Sequence, residues 1–439
     1  MANAPLSLSQ QAGRTTEQPI SYFMKAAIEN PALISLAAGL VDEPSLPVAE
    51  VRQAFNELFA SPESARAALQ YGTTPGLLPL RQKLLERYAA EDGLAAETLP
   101  LGVDDLIVTN GSQQLLYMLG EVLLDPGDVV ITEAPSYFVF HAVLASRGAE
   151  VIGIPMDDHG MRTDVLETQL LRLEQAGRLD RVKLLYTVDY FQNPTGLTLA
   201  PERRRHILEL ARRFSRRHRI LILEDAAYRD LRYDGADIRS IKCLDTTNEY
   251  VVYTSTFSKP CSPGVRVGYG LLPKDLMAHV LRAKGNHDFG SANLNQHLAL
   301  RLLTNGTFDR HLVDLRAAYK QKRDVMCEAL NAAFREWPAV QWARPAGGMY
   351  CWLKFPADVP TGPGSAMMKE AKREGVLYVP GEFCHVPEAS GRTPNNEMRL
   401  CYGIATVEQI REGVRRLSKA AKRLTAVQQP NPDAAPAAV

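Results

Sequence analysis

The sequence predicts an α/β protein: a large domain on a mostly parallel seven-stranded sheet covered by helices, with a smaller α+β domain beside it. Three observations lead there. Apolar runs of strand length alternate with helical stretches through the middle of the chain, the pattern of βαβ units and a parallel sheet. The last third abandons that alternation for one long helix, a few short strands and a closing helix. With 439 residues, 46% of them apolar, the chain can bury the large core that two domains need.

Taken in order, residues 1–14 are polar and lack apolar periodicity, which predicts a flexible arm. Residues 20–28 form a short amphipathic helix, and residues 33–40 a strand-like run closing on Ala37-Ala38-Gly39. Helices over 48–59 and 78–89 flank the turn Tyr71-Gly72-Thr73-Thr74-Pro75-Gly76. The seven strand runs are 106–109, 129–132, 151–155, 183–188, 220–223, 251–255 and 267–272, with helices such as 113–124, 137–147, 163–176 and 201–218 between them. A long helical region, 309–335, precedes strands at 349–355, 376–380 and 398–401. A helix over 406–424 follows, with Val407, Ile410, Val414 and Leu417 at helical spacing. The expected division is a large domain at 50–308, a small domain from 15–49 and 309–424, and a Pro/Ala-rich disordered tail at 425–439.

Composition excludes several classes. Fifty basic side chains balance fifty acidic ones, which argues against a general polyanion binder, so no nucleic-acid partner is expected. Arg203-Arg204-Arg205, Arg212-Arg213 and Arg216-Arg217 read as a solvated helix face. The longest apolar runs are strand-length and the N-terminus has no signal-peptide pattern, so no membrane association is expected. Six scattered cysteines without C-x-x-C read as reduced core residues of a cytoplasmic protein. The histidines show no metal-ligand spacing. Gly264-Val265-Arg266-Val267-Gly268 does not fit G-x-G-x-x-G, which leaves nicotinamide binding unsupported.

Ligands of parallel sheets bind beyond the carboxyl ends of the strands, and there the polar punctuation falls. The run at 251–255 ends in Thr256-Phe257-Ser258-Lys259-Pro260-Cys261-Ser262-Pro263-Gly264-Val265-Arg266. A lysine, an arginine and short hydroxyls brought together suit an anionic cofactor that carries a carbonyl. Lys259 attacks the carbonyl carbon, while Thr256, Ser258 and Arg266 hold a phosphate. A surface lysine beside a loop is the other reading of S-x-S-K alone.

These motifs resemble the lysine loop of the fold-type-I pyridoxal-phosphate (PLP) aminotransferases of class I/II, in particular the aminoadipate/kynurenine-type branch. The resemblance runs from about residue 15 to 424. Pro260 is a departure, since it deletes one backbone N–H from the loop. The resemblance implies that Lys259 carries the cofactor and that Arg266, Thr256 and Ser258 bind its phosphate. It adds Ser112 and Gln113, at a strand-to-helix junction where a simple helix cap is the alternative. It assigns Tyr137 to the face of the cofactor ring; a core tyrosine is the alternative. Asn193, in Asn193-Pro194-Thr195-Gly196, would bond the cofactor's phenolic oxygen and lie near the substrate carboxylate, where the residues alone show a turn. Asp225 would hold the pyridine nitrogen protonated and Tyr228 would donate to the phenolic oxygen; the alternative is a strand-end cap. Tyr71 would reach the phosphate of a neighbouring subunit, which implies a homodimer. For the substrate, Gly39 would present its backbone and Arg399 would grip the α-carboxylate, against a turn glycine and a structural salt bridge.

The implied reaction is ping-pong transfer of an amino group from an L-amino acid to a 2-oxo acid such as 2-oxoglutarate, with Lys259 moving the α-proton. An unperturbed lysine, with a pKa of about 10.4, is almost wholly protonated near neutrality, so burial and Arg266 must lower it. The same residues support decarboxylation, elimination or oxidation of an amino acid. A non-catalytic PLP-binding regulator is the other alternative, although about twenty residues before the fold are too few for its DNA-binding domain. Aminoadipate-preferring relatives place an arginine in the N-terminal helix where this chain has Ser21-Tyr22-Phe23, which points to aromatic or larger apolar amino acids.

Overall fold

The computed structural model describes residues 6–30, 32–387 and 391–428. The chain opens with helices α1 (Gln10–Arg14) and α2 (Pro19–Glu29) and a two-residue strand β1 (Ile34–Ser35). Helices α3 (Val48–Phe59), α4 (Pro62–Leu69) and α5 (Leu78–Glu91) lead to β2 (Leu106–Thr109). Helix and strand then alternate through α6 (Ser112–Leu123), β3 (Val129–Ala134), α7 (Phe138–Arg147) and β4 (Glu150–Asp157). Next come β5 (Gly160–Met161), α8 (Thr163–Gln175), β6 (Val182–Thr187), α9 (Pro201–Phe214) and β7 (Leu221–Asp225). The short α10 (Ile241–Leu244) precedes β8 (Val251–Thr256) and β9 (Gly268–Leu271).

The main sheet has the order β2-β9-β8-β7-β6-β3-β4-β5. Strands β8, β7, β6, β3 and β4 are parallel neighbours, while β9 runs antiparallel to both β2 and β8. The seven expected strands are all there. The eighth, β5, pairs only Met156 with Met161 and Asp157 with Gly160, too short a segment to show any alternation. Strands β2, β7 and β8 are buried at every position. Helices on both faces demand that, and it is why these strands read as continuous apolar runs.

The remaining elements are α11 (Lys274–His287), α12 (Asn293–Thr304), α13 (Thr307–Phe334), β10 (Gln341–Trp342) and β11 (Tyr350–Lys354). They continue with α14 (Ala366–Arg373), β12 (Val376–Leu377), β13 (Val379–Pro380), β14 (Glu397–Cys401) and α15 (Val407–Gln428). A second, antiparallel sheet has the order β10-β11-β14-β13. Ile410, Val414 and Leu417 of α15 are buried, as their helical spacing predicts. Strand β1 pairs in parallel with β12, Ile34 opposite Val376, as a separate two-stranded sheet; the Cys401 amide, which donates to the Leu36 carbonyl at 2.7 Å, ties the segment before α3 to β14 of the smaller sheet.

Three expectations need correction. Of the strand-like run at 33–40, only Ile34 and Ser35 pair. The run at 376–380 serves two different sheets. Residues 10–14 are not a free arm: Ser9 caps α1 at the Ala12 amide, Gln11 Nε2 donates to Tyr117 Oη at 3.2 Å, and Arg14 Nε donates to the Ser146 carbonyl at 3.2 Å. These are long-range polar contacts, which leave no apolar period in the sequence. At the other end α15 runs on to Gln428, so residues 425–428 of the tail expected at 425–439 are helical, and the rest of that tail, like residues 1–5 of the arm expected at 1–14, lies outside the described residues. The basic face is charge-matched, Arg203 with Asp157, Arg213 with Glu167, Arg216 with Glu174 and Arg217 with Asp180, but Arg204 is not part of a solvated face: it is fully buried against Asp189 and Glu224. No helix of the described residues is long and apolar enough to cross a membrane. All six cysteines are free.

Candidate active site

The carboxyl ends of β2, β3, β6, β7 and β8 open onto one cavity of about 600 Å³. Its wall includes Gly39, Ser112, Gln113, Tyr137, Asn193, Asp225, Tyr228, Thr256, Ser258, Lys259 and Arg266. Two predicted residues are placed elsewhere. Arg399 sits fully buried behind the wall on β14. Tyr71 is 82% exposed and packs edge-to-face on Phe289, 5.7 Å between ring centres.

One end of the cavity is built for an anion. Helix α6 starts after Gly111, at φ +70°, with no side chain capping it, so Ser112 is its first residue and not its cap. The first-turn amides are therefore left for a ligand. Gly268 is required beside them, because a Cβ there would lie 2.5 Å from the Ser112 nitrogen. Arg266, itself at φ +48°, donates to the Asn110 carbonyl at 3.2 Å and to the Pro263 carbonyl at 3.3 Å. Thr256 Oγ1 lies 3.0 Å from Ser258 Oγ and accepts from the Ser258 amide at 3.1 Å. Despite Pro260, the loop is closed by the Cys261 and Ser262 amides on the Phe257 carbonyl.

The same cavity is lined by Asp225, a carboxylate. Burial pushes its pKa up to about 6, while the Tyr186 hydroxyl, donating at 3.1 Å, and the Ala227 amide, at 3.2 Å, work the other way. Lys259 lines the cavity too, and its Nζ donates to the Gly39 carbonyl at 3.1 Å. Burial, helped by the positive Arg399 and Arg266, pushes its pKa down to about 8.

A third group holds the side facing β11 and β14. Arg399 donates through Nη1 to Asn193 Oδ1 at 2.8 Å and through Nη2 to the Ala37 carbonyl at 2.9 Å, and its Nε is buried without a partner. Asn193 Nδ2 in turn donates to Tyr228 Oη at 3.3 Å. Burial holds the Tyr228 phenol far above its ordinary range, so it stays a neutral donor.

Four residues of this machinery escape sequence reasoning. Tyr350 Oη lies 3.1 Å from Tyr228 Oη, and its ring lies 4.5 Å beneath the Arg399 guanidinium. Tyr186 is the partner of Asp225. Gln192 and Glu133 brace the Asn193 turn: Glu133 accepts from Gln192 Nε2 at 2.6 Å and from the Val188 amide at 3.0 Å, and burial lifts it to about 7. Only the adjacency of Gln192 to the N-P-T-G turn was a usable signal; the others depend on which strands become neighbours.

The donors and acceptors fit PLP. Open amides, hydroxyls and a guanidinium suit its phosphate, an amine of lowered pKa its aldehyde, a carboxylate its ring nitrogen, and the Tyr228–Asn193 pair its phenolic oxygen. The family comparison agrees: the model of the class I and II aminotransferases matches residues 31–417. The chain belongs to that family. It is a PLP-dependent aminotransferase of fold type I. The aromatic-amino-acid aminotransferase 1 of Thermococcus litoralis is 35% identical to this aminotransferase over 401 residues, covering 90% of this chain and 89% of its own. The Pyrococcus horikoshii kynurenine aminotransferase, solved in complex with PMP, KYN and KYA, superposes with a TM-score of 0.85 at 33% identity, over 95% of this chain and 97% of its own. The α-aminoadipate aminotransferase LysN of Thermus thermophilus, complexed with N-(5'-phosphopyridoxyl)-L-leucine, gives 0.80 at 31% identity, over 96% and 98%.

Proposed function

We propose that this aminotransferase moves the amino group of an aromatic or large apolar L-amino acid to a 2-oxo acid such as 2-oxoglutarate. Bound PLP supplies an electron sink for the bond broken at the substrate α-carbon. Lys259 holds the cofactor and, once displaced by the substrate amine, carries the α-proton; a pKa of about 8 leaves a useful fraction neutral near physiological pH. Asp225 supplies the charge that keeps the ring nitrogen protonated. Tyr228 and Asn193 donate to the phenolic oxygen, and Tyr137 covers the ring face. Ser112, Gln113, Thr256, Ser258 and Arg266 hold the phosphate. Arg399, with an unpaired buried Nε, grips the α-carboxylate beside the Gly39 backbone.

The observation that carries the substrate class is the outer wall of the cavity. It is made by Tyr117, Val139, Ala142 and Val143, with Gln11, Thr15 and Thr16 from the N-terminal segment. Among the described residues lining the cavity the cations are Lys259 and Arg266, both already assigned. The nearest other cations are engaged behind that wall, Arg147 over the Tyr117 ring and beside Glu121 and Arg14 on the Ser146 carbonyl, so an acidic side chain would have to draw them from those contacts, whereas a flat apolar one would be desolvated. Tyr22, by contrast, is half exposed and hydrogen-bonds Lys372, away from the wall.

Tyr71 and Phe289, both exposed, are the residues we assign to contact with a second copy, giving a homodimer in which Tyr71 completes the neighbour's phosphate site. Free, mostly buried thiols support a reducing, cytoplasmic setting. A panel of amino donors followed by single-turnover absorbance tests the reading. Phenylalanine, tyrosine and leucine should yield pyridoxamine phosphate faster than aminoadipate or aspartate. Preference for aminoadipate would overturn the substrate class, and a product other than pyridoxamine phosphate would overturn the reaction.

A further inference from the structure

Beneath the turn at residues 110–112 lies a partly buried polar cluster that touches neither Lys259 nor the carboxylate grip. Its centre is Asp288, the residue that ends α11. Asp288 Oδ2 accepts from Asn110 Nδ2 at 2.8 Å and from Gln114 Nε2 at 2.7 Å. Lys284, fully buried, donates to the two Asp288 oxygens at 2.7 and 2.8 Å and to Ser291 Oγ at 2.9 Å. Gln114 Oε1 accepts the Asn110 amide at 2.8 Å, and Arg266 occupies the Asn110 carbonyl. The backbone amide, the backbone carbonyl and the side-chain Nδ2 of Asn110 are thus committed, and the chain turns at Gly111 directly into the uncapped start of α6.

A carboxylate so near an anion site opposes binding unless its charge is cancelled. Lys284 cancels it at contact distance, which leaves Asp288 as a neutralised but strongly accepting anchor. A buried ion pair is weak evidence for stability in itself. Here it holds the backbone that aims two amides and one guanidinium at the same point.

We propose that Asp288, neutralised by Lys284, is the positioning residue of this anion-binding turn, fixing through Asn110 the geometry that a phosphate monoester requires. The inference rests on the reading that the turn receives the PLP phosphate. The test compares binding of PLP and of pyridoxal, which lacks the phosphate, to the cofactor-free protein by absorbance and fluorescence titration. Asn110→Ala cuts the tether without stranding a charge, and the double variant Lys284→Met/Asp288→Asn removes both charges together. In each, the preference for PLP over pyridoxal should fall by about tenfold or more, with pyridoxal affinity held, as expected for lost hydrogen bonds to a charged group. Lys284→Met alone should show the largest fall, because it leaves the carboxylate facing the phosphate. An unchanged preference in Asn110→Ala and the double variant would overturn the proposal, as would an equal loss of both affinities. A wild-type protein that binds the two alike would remove the phosphate site itself, a distinct failure.

Discussion

Ionising the buried Asp225 costs the cofactor-free protein stability, and the cost can be isolated. Burial lifts its pKa from 3.8 to about 6. A carboxylate with a raised folded-state value stabilises the fold fully below the unfolded value, and that contribution is lost as pH rises through the folded one. A difference of about 2 units at 1.36 kcal/mol each gives a loss of about 3 kcal/mol between pH 4 and neutrality. Asn in its place keeps an acceptor for the Tyr186 hydroxyl and has nothing to ionise. Cofactor-free Asp225→Asn should therefore be more stable than wild type at pH 7.5, by up to about 3 kcal/mol, and the gap should close towards pH 4. With PLP the order reverses, since the variant lacks the charge that the ring nitrogen requires. Urea unfolding of both proteins with and without PLP, from pH 4 to 8, measures this. A gap independent of pH, or a variant that gains stability from PLP as much as wild type does, would refute the reasoning.

Three further outcomes follow from the same geometry. Arg399→Lys replaces a planar fork by a point charge and should raise KM for the amino acid by about 10- to 100-fold, with a smaller effect on kcat; steady-state kinetics with one donor decides. Tyr350→Phe should lower kcat/KM by about fivefold, and Tyr228→Phe/Tyr350→Phe should cost little more than Tyr228→Phe alone, because the two hydroxyls act as one unit. Gln11→Ala releases α1 from Tyr117 and should raise KM about fivefold for large apolar donors while leaving alanine unchanged; equal effects on both would detach α1 from substrate selection.

How much was legible in the sequence depends on where each signal is encoded. The main sheet was readable because strands buried on both faces must be continuous apolar runs, and the motif residues at their ends fall on one rim by topology. Lys259, Asp225 and Asn193 lie where strand-end logic puts them. Strand β5 was not readable, being two residues long, nor was the division of 376–380 between two sheets, which depends on partners far away in the chain. Helix α1 was missed because polar contacts to Tyr117 and Ser146 hold it down, not an apolar face. Tyr350 and Tyr186 were missed for a related reason. As sequence they are core tyrosines, and only the meeting of β11 with β14, and of β6 with β7, turns their hydroxyls towards Arg399, Tyr228 and Asp225.

The central claim is that the Lys259 amine, lowered to about 8 by burial, holds PLP covalently. Cofactor-free protein incubated with PLP across pH 6 to 10, reduced with borohydride and mapped by peptide mass spectrometry measures it directly. The account predicts a single phosphopyridoxyl adduct on Lys259, forming faster as pH rises through about 8, and no adduct in Lys259→Ala. An adduct on another lysine, or equal labelling of the Lys259→Ala protein, would contradict it.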